Sequence, residues 1–516
     1  MKFIQGTDRN QTFLFPVSVD DSIDENNEVR IIDLFVDSLN LKDFGFSTHR
    51  PENGRPAYHP KVLLKLFIYG YMNKIRSARD LEKETKRNIE VMWLLYSLSP
   101  DHNTISNFRR DNPKAIKKVF RATVQVAKHF NLIGGTLIAG DSTKLRAQNS
   151  KKNNFNQKKI ERHVEYIDNK LEEYSKLLSV ADDDQKGKIK DDIDKHKSRK
   201  DNYKKIETQI KESGEAQVST SDPESRQMIT RNNITEVAYN IQTTVDSKHN
   251  IPFDYKVTNS NDSKAMGNML RRAKSILRSN DFTALYDKGY HTGSEFEIAA
   301  DLGIDVMVAI PTVAAQAPNP AYNVEHFIYD EARDLYLCPQ GHELTTPGTW
   351  HKAKTYYFKR YTTKACMSCS VKAECTKAQY GKGVQRSEYQ QYINNNKERI
   401  EQNKDYYRKR QAIVEHPYGT IKRQWGFDHI MTKKTMKRAS ADVGFAFIAY
   451  NLKRLINIIG KSNFKEYLEA IFSIFFAHIS QLRKILRSSG AIGCLRCNFM
   501  LNTNKPFAST WFIQGY

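Results

Sequence analysis

The sequence predicts an α/β protein: a mixed sheet with flanking helices, preceded by an all-α N-terminal part. Residues before about 130 show helical apolar spacing without strand alternation. Alternating runs then appear, with Val237, Tyr239, Ile241 and Thr243 followed, after a turn at 246–250, by Ile251, Phe253, Tyr255 and Val257. Between 263 and 310, helical and buried-strand patterns take turns. Strands that meander first and alternate with helices later make a mixed sheet covered by helices.

The N-terminal helices follow from periodicity. Residues 29–41 carry Ile31, Ile32, Leu34, Phe35 and Leu39, and residues 60–71 carry Val62, Leu63, Leu64, Leu66, Phe67 and Tyr71. Helical stretches at 78–85 and 89–96 follow, then a turn at 99–103 and a basic helix at 104–110. Short helices with tight turns and a basic last member form a helix-turn-helix-like bundle, in which Asn107, Arg109 and Arg110 would reach a DNA groove. The alternative is an ordinary helical domain with a basic surface.

A strand at 137–141 comes next. Beyond Ser150, Ile160, Val164, Ile167, Leu171, Tyr174 and Leu178 mark a seam on a charged helix. A polar break at 181–187 separates it from a second arm carrying Ile189, Ile193, His196, Tyr203, Ile206 and Ile210. This predicts an antiparallel helical hairpin, either touching DNA or a second subunit or serving as a solvated spacer. The expected units are 1–130, helical and DNA-binding; 131–311 with 401–460, catalytic; 151–215, the hairpin insertion; 312–400, Cys-rich; and 461–516, a C-terminal helix and tail.

The charge balance of 81 Lys and Arg against 59 Asp and Glu gives +22 across 516 residues, which suits a polyanionic partner such as DNA. No cleavable signal follows Met1, and the apolar segment 470–482 is interrupted and shorter than the roughly 20 residues that span a bilayer. A cytoplasmic, reducing location without a membrane partner is the expectation. Six cysteines there read as metal ligands or free thiols.

Three distant acids carry the chemistry. Asp141 follows Leu137, Ile138, Ala139 and Gly140; Asp287 follows Leu285 and Tyr286 and precedes Gly289; Glu415 lies in a charged helical stretch at 401–425. Asp141 and Asp287 are each expected to end a strand, where ligand-binding groups gather on an open sheet. Gly289 would let the backbone pass close to a metal or phosphate. Pro417 predicts a bend close to Glu415. Arg408, Glu415 and Lys422 recur at sevens and share a helix face with Gly419. Oxygen-only ligands favour Mg²⁺ or Mn²⁺, and two such ions clamp the attacking and leaving oxygens of a phosphodiester. Taken singly, each acid also reads as a turn residue or a solvated ion-pair partner.

The three segments together resemble the DDE transposases of bacterial insertion sequences. The resemblance runs from Val29 to about Gly460 and rests on the motifs around Asp141, Asp287 and Glu415. It implies an RNase H-like mixed five-stranded sheet on which Asp141, Asp287 and Glu415 hold two divalent ions. One ion would activate water or a 3′-hydroxyl, and the other would stabilise the departing oxygen. Lys144, Arg146, Lys288, Arg408 and Lys422 would hold phosphates. Related enzymes show Tyr, Arg, Glu and Lys at set spacing around the third acid. Here Gln411 stands four before Glu415, Tyr407 and Arg410 are each displaced by one, and Arg408 has the better face to replace the missing Arg.

Cys338, Cys366, Cys369 and Cys375, with His342 as a substitute, can supply a structural Zn²⁺ site, and a Cys-rich insertion is found at this place in the similar branch of the family. Unliganded thiols are the alternative. Cys494 and Cys497 are assigned no metal. The leading reading is an enzyme that binds the terminal inverted repeats of its element on double-stranded DNA, cuts the ends and joins 3′-hydroxyls to target DNA, as at least a homodimer on DNA. The competing readings are an inactive transposase-derived DNA-binding protein and a metal-dependent nuclease without strand transfer.

Overall fold

The computed structural model describes residues 18–48, 56–230, 234–312 and 317–471. Cys494, Cys497 and all but the first two residues of the apolar segment 470–482 lie outside them. Within the described residues, seven helices precede the first strand: α1 (Glu28–Asp37), α2 (Leu41–Phe44), α3 (Pro60–Met72), α4 (Ala78–Arg87), α5 (Ile89–Leu94), α6 (His102–Asp111) and α7 (Pro113–His129). Their starts have local causes. Asn27, Ser77 and Asp101 cap α1, α4 and α6 by accepting backbone N–H groups of the first turn, while Pro60 and Pro113 open helices where no amide donor is needed. α3, apolar almost all round, is the buried centre of this group.

β1 (Leu137–Arg146) and β2 (Asn154–Asn156) lead into two long helices, α8 (Gln157–Val180) and α9 (Asp183–Ser213), and back through β3 (Gln217–Ser219), which pairs with β2. The two helices run antiparallel: Gln157 bonds Glu207 near the base, Lys200 pairs with Asp168, and Tyr174 meets His196 further out. Phe155, Ile160, Ile210 and Val218 close a small core at the base.

β4 (Arg226–Ile229), β5 (Thr235–Asp246), β6 (Ile251–Thr258), α10 (Met266–Leu277), β7 (Thr283–Tyr286), α11 (Gly293–Asp301) and β8 (Asp305–Val308) complete the sheet and its covering helices. The sheet is mixed, as expected, but has six strands. Its order is β4-β5-β1-β7-β8, with β6 also pairing β5; β1, β7 and β8 are parallel and the other pairings antiparallel. The additional strand is short β4, whose polar Arg226 and Gln227 give no alternation to read.

Residues 317–387 fold as a separate small module. β9 (Ile328–Asp330), β10 (Leu335–Leu337) and β11 (Glu343–Leu344) form one sheet, and β12 (His351–Lys352), β13 (Tyr357–Tyr361) and β14 (Val384–Ser387) another, with α12 (Lys372–Cys375) between β13 and β14 in sequence. Phe327, Tyr336, Leu344, Tyr361 and Val384 form its core. Asp334 accepts hydrogen bonds from Lys359, Tyr361 and Tyr329, which hold its carboxyl down to about 2, Lys359 contributing most.

The charged stretch around Glu415 divides into α13 (Gln390–Gln402) and α14 (Lys404–Tyr418), broken at Asn403. Pro417 lies inside α14, and the helix passes into a π-helical stretch at Gly419–Gln424. A proline has no N–H for the i−4 carbonyl, and a wider turn directly after it is one way to absorb the defect. α15 (Met436–Ile459) then joins the N-terminal helices to the sheet: Phe445 stacks on Phe67 with ring centroids 4.7 Å apart, and Phe447 on Tyr255 at 5.4 Å. One continuous apolar core therefore extends from α1 to α15.

Candidate active site

Alternation along β1 sets the two faces of the site. Leu137 and Ala139 face Ile413 and Val414 of α14, whereas Ile138 enters the main core on the other side. Asp141 thus continues the face that α14 covers. It does not end its strand: β5 pairs with β1 as far as Arg146, so Asp141 lies in mid-strand opposite Thr243. On the other edge, pairing with β7 stops at Ala139 opposite Leu285, two residues before Asp141 and Asp287. That end of the ladder opens the sheet where the two acids come side by side.

Gly140 is required by this arrangement. A Cβ there would meet the Tyr286 ring at 2.0 Å, so any side chain would push apart the strands that carry the acids. Asp287, just past β7, caps the 3₁₀ turn Lys288–Tyr290 by accepting the Gly289 N–H at 2.9 Å. Burial pushes the Asp141 carboxyl up to about 6, against the opposing pull of Arg410, while the charges of Asp287 and Asp262 raise it further.

α14 and the π stretch run along β1. Tyr407 donates to the Tyr286 carbonyl at 2.8 Å, Arg410 lies 3.7 Å from Asp141, Tyr418 donates to the Asp141 carbonyl at 3.3 Å, and Lys422 donates to Thr143 Oγ1 at 2.8 Å. Glu415 is exposed on this element and accepts from Gln411 at 2.9 Å. It lines an open cleft of about 390 Å³ with Ser142, Lys144, Tyr418, Lys422 and Arg423. Asp141 and Asp287 are brought together; Glu415 is one wall of the adjoining cleft.

The expected DNA contacts divide. Lys144, in the cleft, is paired with Asp262 at 3.2 Å, Arg146, two residues on, is paired with Asp428 at 2.9 Å, and Lys288 is exposed in the turn after Asp287. Arg408 stands in solvent: its side chain is 79% exposed and bonded to Asp405. Arg410 takes the place expected of it, because residues 407, 410 and 414 share the inward face of α14. In α6, Asn107 is exposed and Arg110 pairs with Asp111 at the surface. Arg109 is a correction. It lies four residues after Ile105 on the buried face and donates to Tyr71 and the Arg76 carbonyl while pairing with Asp442, so it holds the fold together and is closed to DNA. Asp262 and Tyr418 carry no site signal in the sequence, and Arg410, displaced by one from the family spacing, gives way there to Arg408; Asp262 sits in a polar run, 259–264, that reads only as a turn.

Asp141 and Asp287 offer carboxylate oxygens, the donors hard divalent cations take, and their mutual repulsion is what such a cation relieves. They fit the ion. Cys338, Cys366, Cys369 and Cys375 are half-buried free thiols. Burial raises the Cys375 thiol, and the neighbouring Cys366, Cys338 and Cys369 add to the shift. Among the described residues, no three His, Cys, Asp or Glu side chains stand close enough to form a finished metal cage.

Two families match the chain. Residues 17–111 match the family described as Transposase domain (DUF772), and residues 337–456 match Transposase DDE domain. These two matches support a DDE transposase of an insertion sequence. The second match includes Glu415 and the whole of α14 in this transposase, whereas Asp141 and Asp287 precede it. No curated protein and no solved structure matches the transposase. No helix among its described residues is long and apolar enough to cross a membrane.

Proposed function

We propose that this transposase binds the terminal inverted repeats of its element, cleaves the DNA ends and joins the 3′-hydroxyls to target DNA on an RNase H-like core. The observation that carries the reading is the closeness of Asp141 and Asp287 just past the open end of the β1–β7 ladder, beside a cleft lined by Lys144, Lys422 and Arg423. Asp141, Asp287 and Glu415 would hold Mg²⁺ or Mn²⁺, with Glu415 turning in from the cleft wall. Such ions, when bound, polarise the scissile phosphate and stabilise both the attacking and leaving oxygens. The protein's own share is placement. Lys144, Lys422, Arg423 and Lys288 present cations to phosphate oxygens, Arg146 extends this surface, and Arg410 balances charge beside Asp141.

Asn107 and Arg110 on exposed parts of α6 are the N-terminal contacts in this reading. A structural zinc on Cys338, Cys366, Cys369 and Cys375 would tie together a module whose core is only a few side chains. Two transposon ends call for at least a homodimer on DNA, and the cytoplasm, where a bacterial element's DNA lies, is the compartment it requires. The test is incubation of the protein, donor ends and plasmid target with Mg²⁺. Asp141→Asn is expected to lower end cleavage at least ~1000-fold while DNA affinity stays within about threefold. Cleavage that survives the change sinks the reading, and nicks without joined products would reduce it to a nuclease.

A further inference from the structure

A third carboxylate adjoins the two acids and has no part in the account above. Asp262 begins the 3₁₀ turn Asp262–Lys264, which follows β6. β6 ends beside β5, with Asn240 opposite Thr258, and this delivers Asp262 to the edge of β1. Its Oδ1 accepts from Asn240 Nδ2 and Gln242 Nε2, both at 2.7 Å, and its Oδ2 pairs with Lys144 Nζ at 3.2 Å. Lys144 also donates to Ser142 Oγ at 3.1 Å. The far end of Gln242 is engaged too: its Oε1 accepts the hydroxyl of buried Tyr290, the last residue of the turn that Asp287 caps. A Cβ placed on Gly289 would lie 3.1 Å from Asp287 Oδ1 and 3.5 Å from Asp262 Oδ2, so both carboxylates border the same glycine.

The chain of contacts Lys144–Asp262–Gln242–Tyr290 thus bridges β1, the turn after β6, β5 and the turn after β7. Side-chain exposure is 13% for Asp262 and 28% for Lys144, so the ion pair is shielded but Lys144 still borders the cleft. Removing the carboxylate would release the lysine and leave two carboxamide donors short of an acceptor.

Resting on the reading of a strand-cleavage site, we propose that Asp262 is a positioning residue: it fixes the Lys144 ammonium at the cleft and, through Gln242 and Tyr290, fixes the turn that carries Asp287. It touches no reacting atom in this role. A carboxylate that merely fills space near the site would show neither a coupling to Lys144 nor control of the turn.

The experiment compares wild type, Asp262→Asn, Lys144→Gln and the double variant in end cleavage under Mg²⁺, and measures amide exchange over residues 286–291 in the free protein. Asp262→Asn is expected to lower kcat at least ~10-fold with KM within about threefold, and the double variant is expected to be no worse than the poorer single one. Exchange over 286–291 is expected to quicken at least ~5-fold in Asp262→Ala, which unlike Asn leaves Gln242 without its acceptor, a change seen without DNA or metal. Additive losses, an unchanged kcat or unchanged exchange each overturn the proposal. If Asp262→Asn does not fold, Tyr290→Phe carries the test, since it cuts only the hydroxyl link: faster exchange over 286–291 is expected, and unchanged exchange overturns it. Asp141→Asn separates the two ideas, because retained cleavage there defeats the strand-cleavage reading itself, whatever Asp262 does.

Discussion

Arg408 and Arg410 differ by two positions and by opposite faces of one helix. The spacing of seven from Glu415 favours Arg408, and that arithmetic correctly places it on the exposed side with Glu415. The inward face belongs to Tyr407, Arg410 and Val414, and there Arg410 meets Asp141 at 3.7 Å. That distance is too long for a hydrogen bond, so the guanidinium acts on Asp141 by charge. Arg410→Ala is expected to lower end cleavage ~10–100-fold, whereas Arg408→Ala, at an exposed position paired with Asp405, should leave cleavage within about twofold. Equal losses from both changes, measured side by side, would return the role to the exposed face. The acids Asp141 and Asp287 were legible because each follows a short apolar run. Asp262 was not, since its neighbours 259–264 are all polar and its partners lie on other strands.

At the scale of elements, α15 decides how the N-terminal helices meet the sheet. Its apolar residues announce a buried helix, but its one acid, Asp442, is fully enclosed. Asp442 accepts from Arg76 at 2.8 Å, from the Met431 amide at 2.9 Å and from Tyr71, and pairs with Arg109 at 3.3 Å. Burial alone would raise the carboxyl; the two guanidiniums and these donors outweigh it and hold the pKa low. Asp442→Ala leaves two buried arginines without their counter-charge and is expected to cost about 3–5 kcal/mol, read as a lower denaturant midpoint. A loss under about 1 kcal/mol would show that water reaches the arginines. Arg109 looked like a groove-reading residue because a basic helix end usually faces solvent. Only the packing of α15 against α3 and α6 turns it inward.

At the scale of the whole molecule, the net charge of +22 suits a polyanionic partner and does not determine the fold. Its cations are spread along the chain, and several near the candidate site are already engaged with protein groups, such as Lys144 with Asp262 and Arg146 with Asp428. Binding to duplex DNA should still release many counterions. The logarithm of the affinity is expected to fall with the logarithm of salt at a slope steeper than about −4, equivalent to roughly five neutralised phosphates. A slope shallower than about −2, measured by titration at several salt concentrations, would mean that most of these charges serve the protein's own ion pairs.

By itself the sequence determined the mixed α/β class, the helical N-terminal part and the apolar runs that lead into Asp141 and Asp287, because periodicity is local. It did not determine which side chains meet. Tertiary structure decided that β1 runs on past Asp141, since β5 extends its ladder, and that Arg410 rather than Arg408 turns to the acids. Pairing across distant strands likewise brought Asp262 to Lys144 and sealed Arg109 against Asp442. Such contacts join residues up to hundreds of positions apart, and no local pattern in the chain encodes them.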